Sequence, residues 1–249
     1  MAKKERIDVL LVERGLAVSR DRAKRLLLAG QVLVDDVPVD KAGTRVLRDA
    51  AIRLRTQDHP YVSRGGLKLA GALDDLGVEV EGMHCLDVGS STGGFTDCLL
   101  QRGAAHVVAV DVGTNQLHNR LRQDARVLSA EQTDIRAVET DLLPHPIDLV
   151  VVDASFISLR LLLPAIARLI TLGTPVMALV KPQFEVGREK VGKGGVVRDD
   201  ALRNKAVNGI SAAARELGFE ERGRSESKVA GARSGNREVF LMVALETRC

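Results

Sequence analysis

The chain has 249 residues, 45% hydrophobic and 28% charged, a size and balance that suit a soluble protein with one or two packed cores. No apolar run approaches the ~18 residues needed to span a bilayer. The N-terminus MAKKERIDVLLVERG carries charge through what would be a signal peptide's apolar region, so a cytosolic protein without membrane attachment is expected. The three cysteines, Cys85, Cys98 and Cys249, have neither a paired count nor metal-ligand spacing, and the five histidines are scattered; neither a disulfide framework nor a metal site is expected.

The net charge of +3 is unevenly divided. Residues 1–60 hold 13 Lys+Arg against 9 Asp+Glu, whereas residues 61–249 hold 23 against 24. An excess of positive charge at one end is what a small module meeting a polyanion requires. Within it, RIDVLLVERG predicts a short helix closed by Gly15, and SRDRAKRLLLAG a second, with Ser19 as N-cap and Gly30 just past its end. QVLVDDVPVD predicts a strand running into a tight turn at Asp35 and Asp36, and AIRLR another short strand. Ala23, Leu26 and Leu27 are spaced for burial, which leaves Arg20, Arg22, Lys24 and Arg25 outside as candidate RNA contacts. The stretch LLVERGLAVSRDRAKRLLLAGQVLVDDVPV resembles the small α+β RNA-binding module, built on the alpha-L motif, that is shared by a small-subunit ribosomal protein, pseudouridine synthases and bacterial tyrosyl-tRNA synthetases. With no Trp and a single Tyr for base stacking, such a module reads shape and phosphates. TQDHPYV, in which Pro60 forces an extended neighbour, is the linker; residues 60–62 divide a first domain at 1–59 from a second at 63–249.

From residue 63 strands and helices alternate. SRGGLKLAGALDDLG predicts a helix, HCLDVG a strand, FTDCLLQRG a helix, HVVAVD and IDLVVVD strands, Ser158 to about Ile170 a helix, and TPVMALVK a strand. A Gly-rich charged loop follows, then the long helix DDALRNKAVNGISAAARELG, roughly a strand at GFEERGRSES, and a last strand, NREVFLMVALE. Alternation of this kind gives an α/β, Rossmann-like, largely parallel sheet with helices on both faces.

LDVGSSTGGFTDCLL sets a glycine-rich turn between a strand and a helix, where α/β proteins bind nucleotides. Its glycines, Gly89, Gly93 and Gly94, fit neither G-x-G-x-x-G nor a P-loop. Asp87 puts a carboxylate beside the turn, which suits a cation better than a pyrophosphate. Asp111, ending the next strand, is placed to accept hydrogen bonds from both ribose hydroxyls. An adenosine ligand with a positive centre is S-adenosylmethionine, and the pattern resembles the first motifs of class I methyltransferases. Asp87, Gly89, Ser90, Ser91, Thr92, Gly93, Gly94, Phe95, Asp111 and Asp153 are the candidate cofactor contacts.

IDLVVVD ends in Asp153 and TPVMALVK in Lys181; in a parallel sheet these lie on one edge, where ligands bind. If the last strand runs antiparallel, as in a methyltransferase sheet, its beginning at Glu238 lies there too, and Lys68 can reach it from the helix feeding the first strand. The order Lys68, Asp153, Lys181, Glu238 resembles the tetrad of FtsJ-type ribose 2′-O-methyltransferases. YVSRGGLKL, CLDVGSSTGGFTDCLLQRGAAHVVAVDVG, LVVVDASFISL, LVKPQFEVG, KGGVVRD and SGNREVFL are closer still to the TlyA or "hemolysin A" family of ribosomal RNA cytidine 2′-O-methyltransferases. The resemblance implies methyl transfer from S-adenosylmethionine to a ribose hydroxyl in ribosomal RNA. It makes Lys181 the base, has Lys68 disfavour a second positive charge beside it and hold the nucleotide, and has Asp153 and Glu238 orient the lysines. Phe184, Arg188, Lys190 and Lys193 follow on a loop over the same edge and are candidate RNA contacts, Phe184 against a base. SFISL, after Asp153, reads as a helix cap and start. The enzyme is expected to act as a monomer on ribosomal RNA or ribosomal subunits. A ribosome assembly factor without turnover and a membrane-lytic protein are the rival readings.

Overall fold

The structure, a computed structural model, describes residues 4–54, 59–192, 194–231 and 235–247. The chain divides into two compact units, Met1–Pro60 and Tyr61–Cys249. Residues 55–58, the last residue of the predicted strand AIRLR and the first three of the stretch TQDHPYV, lie outside the described residues.

The first unit runs β1 (Lys4–Arg6), α1 (Ile7–Glu13), α2 (Arg20–Leu28), β2 (Val32–Val34), β3 (Val37–Pro38), β4 (Arg45–Leu47) and β5 (Ile52–Leu54). Ser19 Oγ caps α2 by accepting from the Arg22 N–H at 3.1 Å. Asp35 and Asp36 turn the β2–β3 hairpin with φ of 48° and 66°, the left-handed pair that a two-residue hairpin requires. Ile7, Leu11, Ala23, Leu27 and Val32 make the core. β1 pairs with β4 although neither was predicted, because KER and RVL carry no apolar run to betray a strand. Asp8 is fully buried. The guanidinium groups of Arg6 and Arg20, 2.9 and 2.8 Å away, outweigh that burial and hold its carboxyl down at about 2.

The second unit runs α3 (Gly65–Leu76), β6 (His84–Val88), α4 (Gly94–Gln101), β7 (His106–Val110), α5 (Asn119–Arg122), β8 (Val127–Ala130), β9 (Leu149–Val152), α6 (Leu163–Leu169), β10 (Pro175–Val180), α7 (Pro182–Glu185), α8 (Asp200–Glu216), β11 (Phe219–Glu226) and β12 (Val239–Leu245). The predicted helix from Ser158 is split: a 3-10 turn, Leu159–Leu161, precedes α6, whose first turn takes Pro164 because its N–H would be unpaired there anyway. The sheet order is β11-β12-β10-β9-β6-β7-β8, with β12 antiparallel to both neighbours and the remaining pairs parallel. β8 was not predicted; it is a short, half-buried strand at the sheet edge.

Alternation along the strands sorts the core into two layers. Leu86, Val88, Val150, Val152, Val176 and Val180 face the side of α6 and α8. Cys85, Val107, Leu149, Val151 and Leu179 face the side of α3 and α4. Each buried large aliphatic side chain contributes roughly 1.5–3 kcal/mol, so the layers fix the register of every strand. The chain turns from β6 to β7 on one side and to β9 on the other, and the crevice at that reversal lies beyond Val88 and Val152.

Candidate active site

Four ionisable side chains reach this edge from four elements. Asp153 and Lys181 follow directly on β9 and β10. The pairing of Val180 with Val239 sets Glu238 one step beyond β12, next to Lys181. Lys68 comes from the first turn of α3, whose Leu69, Ala72 and Leu73 are buried against the sheet. The four form two pairs. Lys68 Nζ donates to Glu238 Oε2 at 2.5 Å, with side chains 10% and 3% exposed. Lys181 Nζ stands 2.7 Å from Asp153 Oδ1 and donates to Ser155 Oγ, also at 2.7 Å. Asp153 Oδ1 lies off the direction a hydrogen bond needs, so its contact with Lys181 is an ion pair and the oxygen has no hydrogen-bond partner. Each lysine therefore has its own carboxylate. The sequence reading had set the second lysine against the first, and it is the carboxylates that stand closest.

The glycines of the glycine-rich loop are also packed closely against other protein segments. A Cβ on Gly89 would come within 3.0 Å of the Asp153 carbonyl oxygen, and its φ of 83° is left-handed. Gly93 and Gly94 are crowded by Leu117 and by the Gly65–Gly66 backbone. All three let protein segments pack together. Phe95 is likewise in the core, stacked on Phe240 at 5.8 Å between centroids. Ser91 and Thr92 are exposed on the loop.

What faces the crevice is polar and incompletely bonded. Asp87 is fully buried; Oδ2 accepts from Thr96 Oγ1 at 2.6 Å, while Oδ1 has no partner. Burial, with the nearby charges of Asp153 and Asp111, pushes its carboxyl up to about 7. Ser90 Oγ is also buried and partnerless. Asp111 accepts from the N–H groups of Ser91 at 2.8 Å and Gly113 at 2.7 Å, one on each oxygen, which leaves a second lone-pair site on both. Three carboxylates and an unpartnered hydroxyl fit a ligand with positive charge and hydroxyl donors.

Four features at the edge escaped the sequence reading. Ser155, taken as part of a helix start, touches Lys181. Phe156 is 84% exposed at a φ of 66°, strained for a residue with a Cβ, and its ring lies 5.3 Å from that of Phe184. Gln183 Oε1 is buried without a partner beside Lys181. Glu185 joins the two loops: it accepts from Ser158 Oγ at 2.6 Å and the Leu159 N–H at 2.9 Å, and burial raises its carboxyl above the usual range. An aromatic next to a strand-end Asp-x-Ser was the only signal available. Lys190 is exposed; Lys193 and the Arg188 side chain lie outside the described residues. In the first unit Arg20 is engaged with buried Asp8 and Arg25 with Asp21, while Lys24 is exposed and Arg22 half-buried.

Residues 61–245 match the model of the FtsJ-like methyltransferase family, and residues 5–52 that of the S4 domain. The chain belongs to the FtsJ-like methyltransferase family. A relative from Mycobacterium tuberculosis, named 16S/23S rRNA (cytidine-2′-O)-methyltransferase TlyA, is 46% identical over 99% of this chain and 92% of its own length. Hemolysin A of Brachyspira hyodysenteriae is 41% identical over 94% of this chain and 97% of its own. A solved structure of a candidate hemolysin from Streptococcus thermophilus superposes with a TM-score of 0.76 at 43% identity, covering 100% of this chain and 90% of the other. Among the described residues of this methyltransferase no helix is long and apolar enough to cross a membrane, and no cluster of ligating side chains is arranged for a metal ion.

Proposed function

We propose that this methyltransferase modifies the 2′-hydroxyl of a cytidine ribose in ribosomal RNA, with S-adenosylmethionine as methyl donor. The observation that carries the reading is the meeting of two lysine–carboxylate pairs, one buried and one partly buried, with the incompletely bonded Asp87 and Ser90 at one sheet edge. S-adenosylmethionine supplies an electrophilic methyl carbon on a sulfonium. Asp87 and Ser90 suit its charged end and Asp111 its ribose. A ribose hydroxyl must lose its proton as it attacks, and Lys181 Nζ, once it has released its own proton to solvent and stands as the neutral amine, is the acceptor. Asp153 and Ser155 hold that nitrogen in place, and Asp153 can release it when a cation enters the crevice. Lys68, fixed by Glu238, keeps a positive charge facing the oxygen as it becomes anionic.

Residues 1–59 anchor the RNA through the outer face of α2, with Arg22, Lys24 and Arg25 on phosphates and Arg20 holding the fold through Asp8. Residues 63–249 carry the chemistry. Phe184, paired with Phe156, offers a face to a base, and Arg188, Lys190 and Lys193 bring charge for phosphates.

The test is transfer of labelled methyl from S-adenosylmethionine to purified ribosomal subunits, beside Lys181→Ala, with the modified ribose located by resistance to alkali. Label on a cytidine 2′-oxygen that disappears in the variant is the expected result. Absence of label on either subunit and on free RNA, with cofactor binding intact, would favour an assembly role without turnover.

A further inference from the structure

Beside the catalytic edge, a groove of about 360 Å³ opens between α7 and α8. Arg160, Lys190 and Lys205 line it, with Val186, Leu202 and Ala206 as its apolar surface. All three cations are exposed, and none forms an ion pair among the described residues. Elsewhere in this unit, which holds 23 Lys+Arg against 24 Asp+Glu, Arg120, Arg122, Arg126, Arg136 and Arg224 each have an acidic partner. The one carboxylate lining the groove, Glu185, spends an oxygen each on Ser158 Oγ and the Leu159 N–H; the charge of Arg160 acts on it without an ion pair being formed, and Lys190 and Lys205 have no acidic partner among the described residues.

A second observation concerns α8. Gly209 sits in the interior of this 17-residue helix, where glycine costs roughly 1 kcal/mol relative to alanine. A Cβ there would stand 2.7 Å from Arg160 Nη2. The guanidinium therefore lies against the helix at Gly209, at the far end of a flexible and exposed side chain. The groove also continues the site. Glu185 lies four residues after Lys181, and its acceptor contacts are to the segment that begins at Asp153.

We infer that this groove binds phosphodiesters of the RNA strand flanking the target nucleotide, with Arg160 and Lys205 as contacts in addition to Lys190. This rests on RNA being the substrate of the adjoining site. A chain running out of the catalytic edge meets the cations next, and the apolar floor accommodates its sugars.

The test is equilibrium binding of purified small and large ribosomal subunits across a potassium chloride series, together with the methyl-transfer assay. Arg160→Ala with Lys205→Ala is expected to weaken binding about tenfold or more near 0.1 M salt. It should flatten the slope of log affinity against log salt by about 0.7 for each contact removed, as for single-stranded RNA. Cofactor affinity and the rate at saturating subunit should hold. Arg222→Ala, remote and paired with Glu246, serves as the control. Unchanged affinity and slope in the double variant, with wild-type transfer intact, would overturn the groove alone. Wild-type binding without transfer would overturn the methylation reading and leave the groove to be judged by its slopes. No wild-type binding to either subunit would overturn both.

Discussion

The two ends of the central strands both gather titratable side chains, yet they differ in how far the bonds of those side chains are satisfied. At the amino end, His84 and His106 begin neighbouring strands in register, and His145 stacks on His84 at 4.3 Å and meets His106 edge-on at 5.8 Å. Asp148 completes the group, accepting from the His84 N–H at 2.8 Å. At the carboxyl end the groups are more deeply buried, and Asp87 Oδ1, Ser90 Oγ and Gln183 Oε1 have no partner. Buried polar atoms without partners are costly, so a fold retains them where a ligand completes them. The contrast teaches that a cluster of ionisable groups does not by itself mark a site; unsatisfied bonding capacity does.

The sharpest way to break the comparison is at Lys181. Lys181→Arg keeps the charge but cannot accept a proton, so transfer should fall by about 10²–10⁴-fold with cofactor affinity retained, read by single-turnover label transfer. Substantial activity would remove Lys181 as the base.

Glu238→Leu leaves the Lys68 ammonium buried without its carboxylate, and chemical denaturation should show a loss of about 3–5 kcal/mol. Lys68→Met combined with Glu238→Leu should recover most of that stability and no activity if the pair has the proposed role in the chemistry. If activity returned with stability, the pair would be a scaffold like the histidine end.

Asp87 gives the next effect. Its carboxyl is pushed up to about 7 in the folded chain, so between the ordinary carboxylate range near pH ~4 and pH 7 the folded state holds a proton that the unfolded state has released. Stability of the unliganded protein should therefore fall as pH rises through that window, and the penalty should be complete above it. A cationic ligand favours the ionised form, so binding below pH 7 should release a proton, measurable by calorimetry in buffers of different ionisation enthalpy. Asp87→Asn should abolish that release, weaken cofactor binding about tenfold or more, and stabilise the unliganded protein above neutrality.

The smallest effect belongs to the amino end. Burial and the two neighbouring histidines lower the pKa of His106, so the folded state resists protonation. Stability should be full above the unfolded value of about 6.5 and decline as pH falls through it, by no more than about 1 kcal/mol for a partly exposed ring. His145→Ala should reduce that dependence and leave methyl transfer within about twofold of wild type. A large loss of transfer would mean that the two ends are coupled.

Much of this arrangement was legible in the sequence wherever an apolar run stops at a charge. LVVV before Asp153 and PVMALV before Lys181 are strands buried on both faces, and a charged residue at their ends falls on the sheet edge. Caps such as Ser19 and the Asp35–Asp36 turn were equally plain, because local chemistry decides them. What was hidden depends on packing between segments far apart. Nothing in the sequence says that Glu238 takes Lys68 while Asp153 takes Lys181, or that the loop glycines also make room for Asp153, Leu117 and Leu121. Phe156 was missed because a strained, exposed aromatic looks, in sequence, like the start of a helix.

The salt bridge between Lys68 and Glu238 joins residues 170 apart, one from the first helix of its unit and one from the threshold of the final strand. During synthesis from the N-terminus, α3, the glycine-rich loop, Asp153 and Lys181 all emerge before Glu238 does. Until the last strand inserts between β10 and β11, Lys68 lacks its counter-ion and the edge its fourth charge. The edge is thus assembled only when that strand, far along the chain from α3, takes its place between β10 and β11.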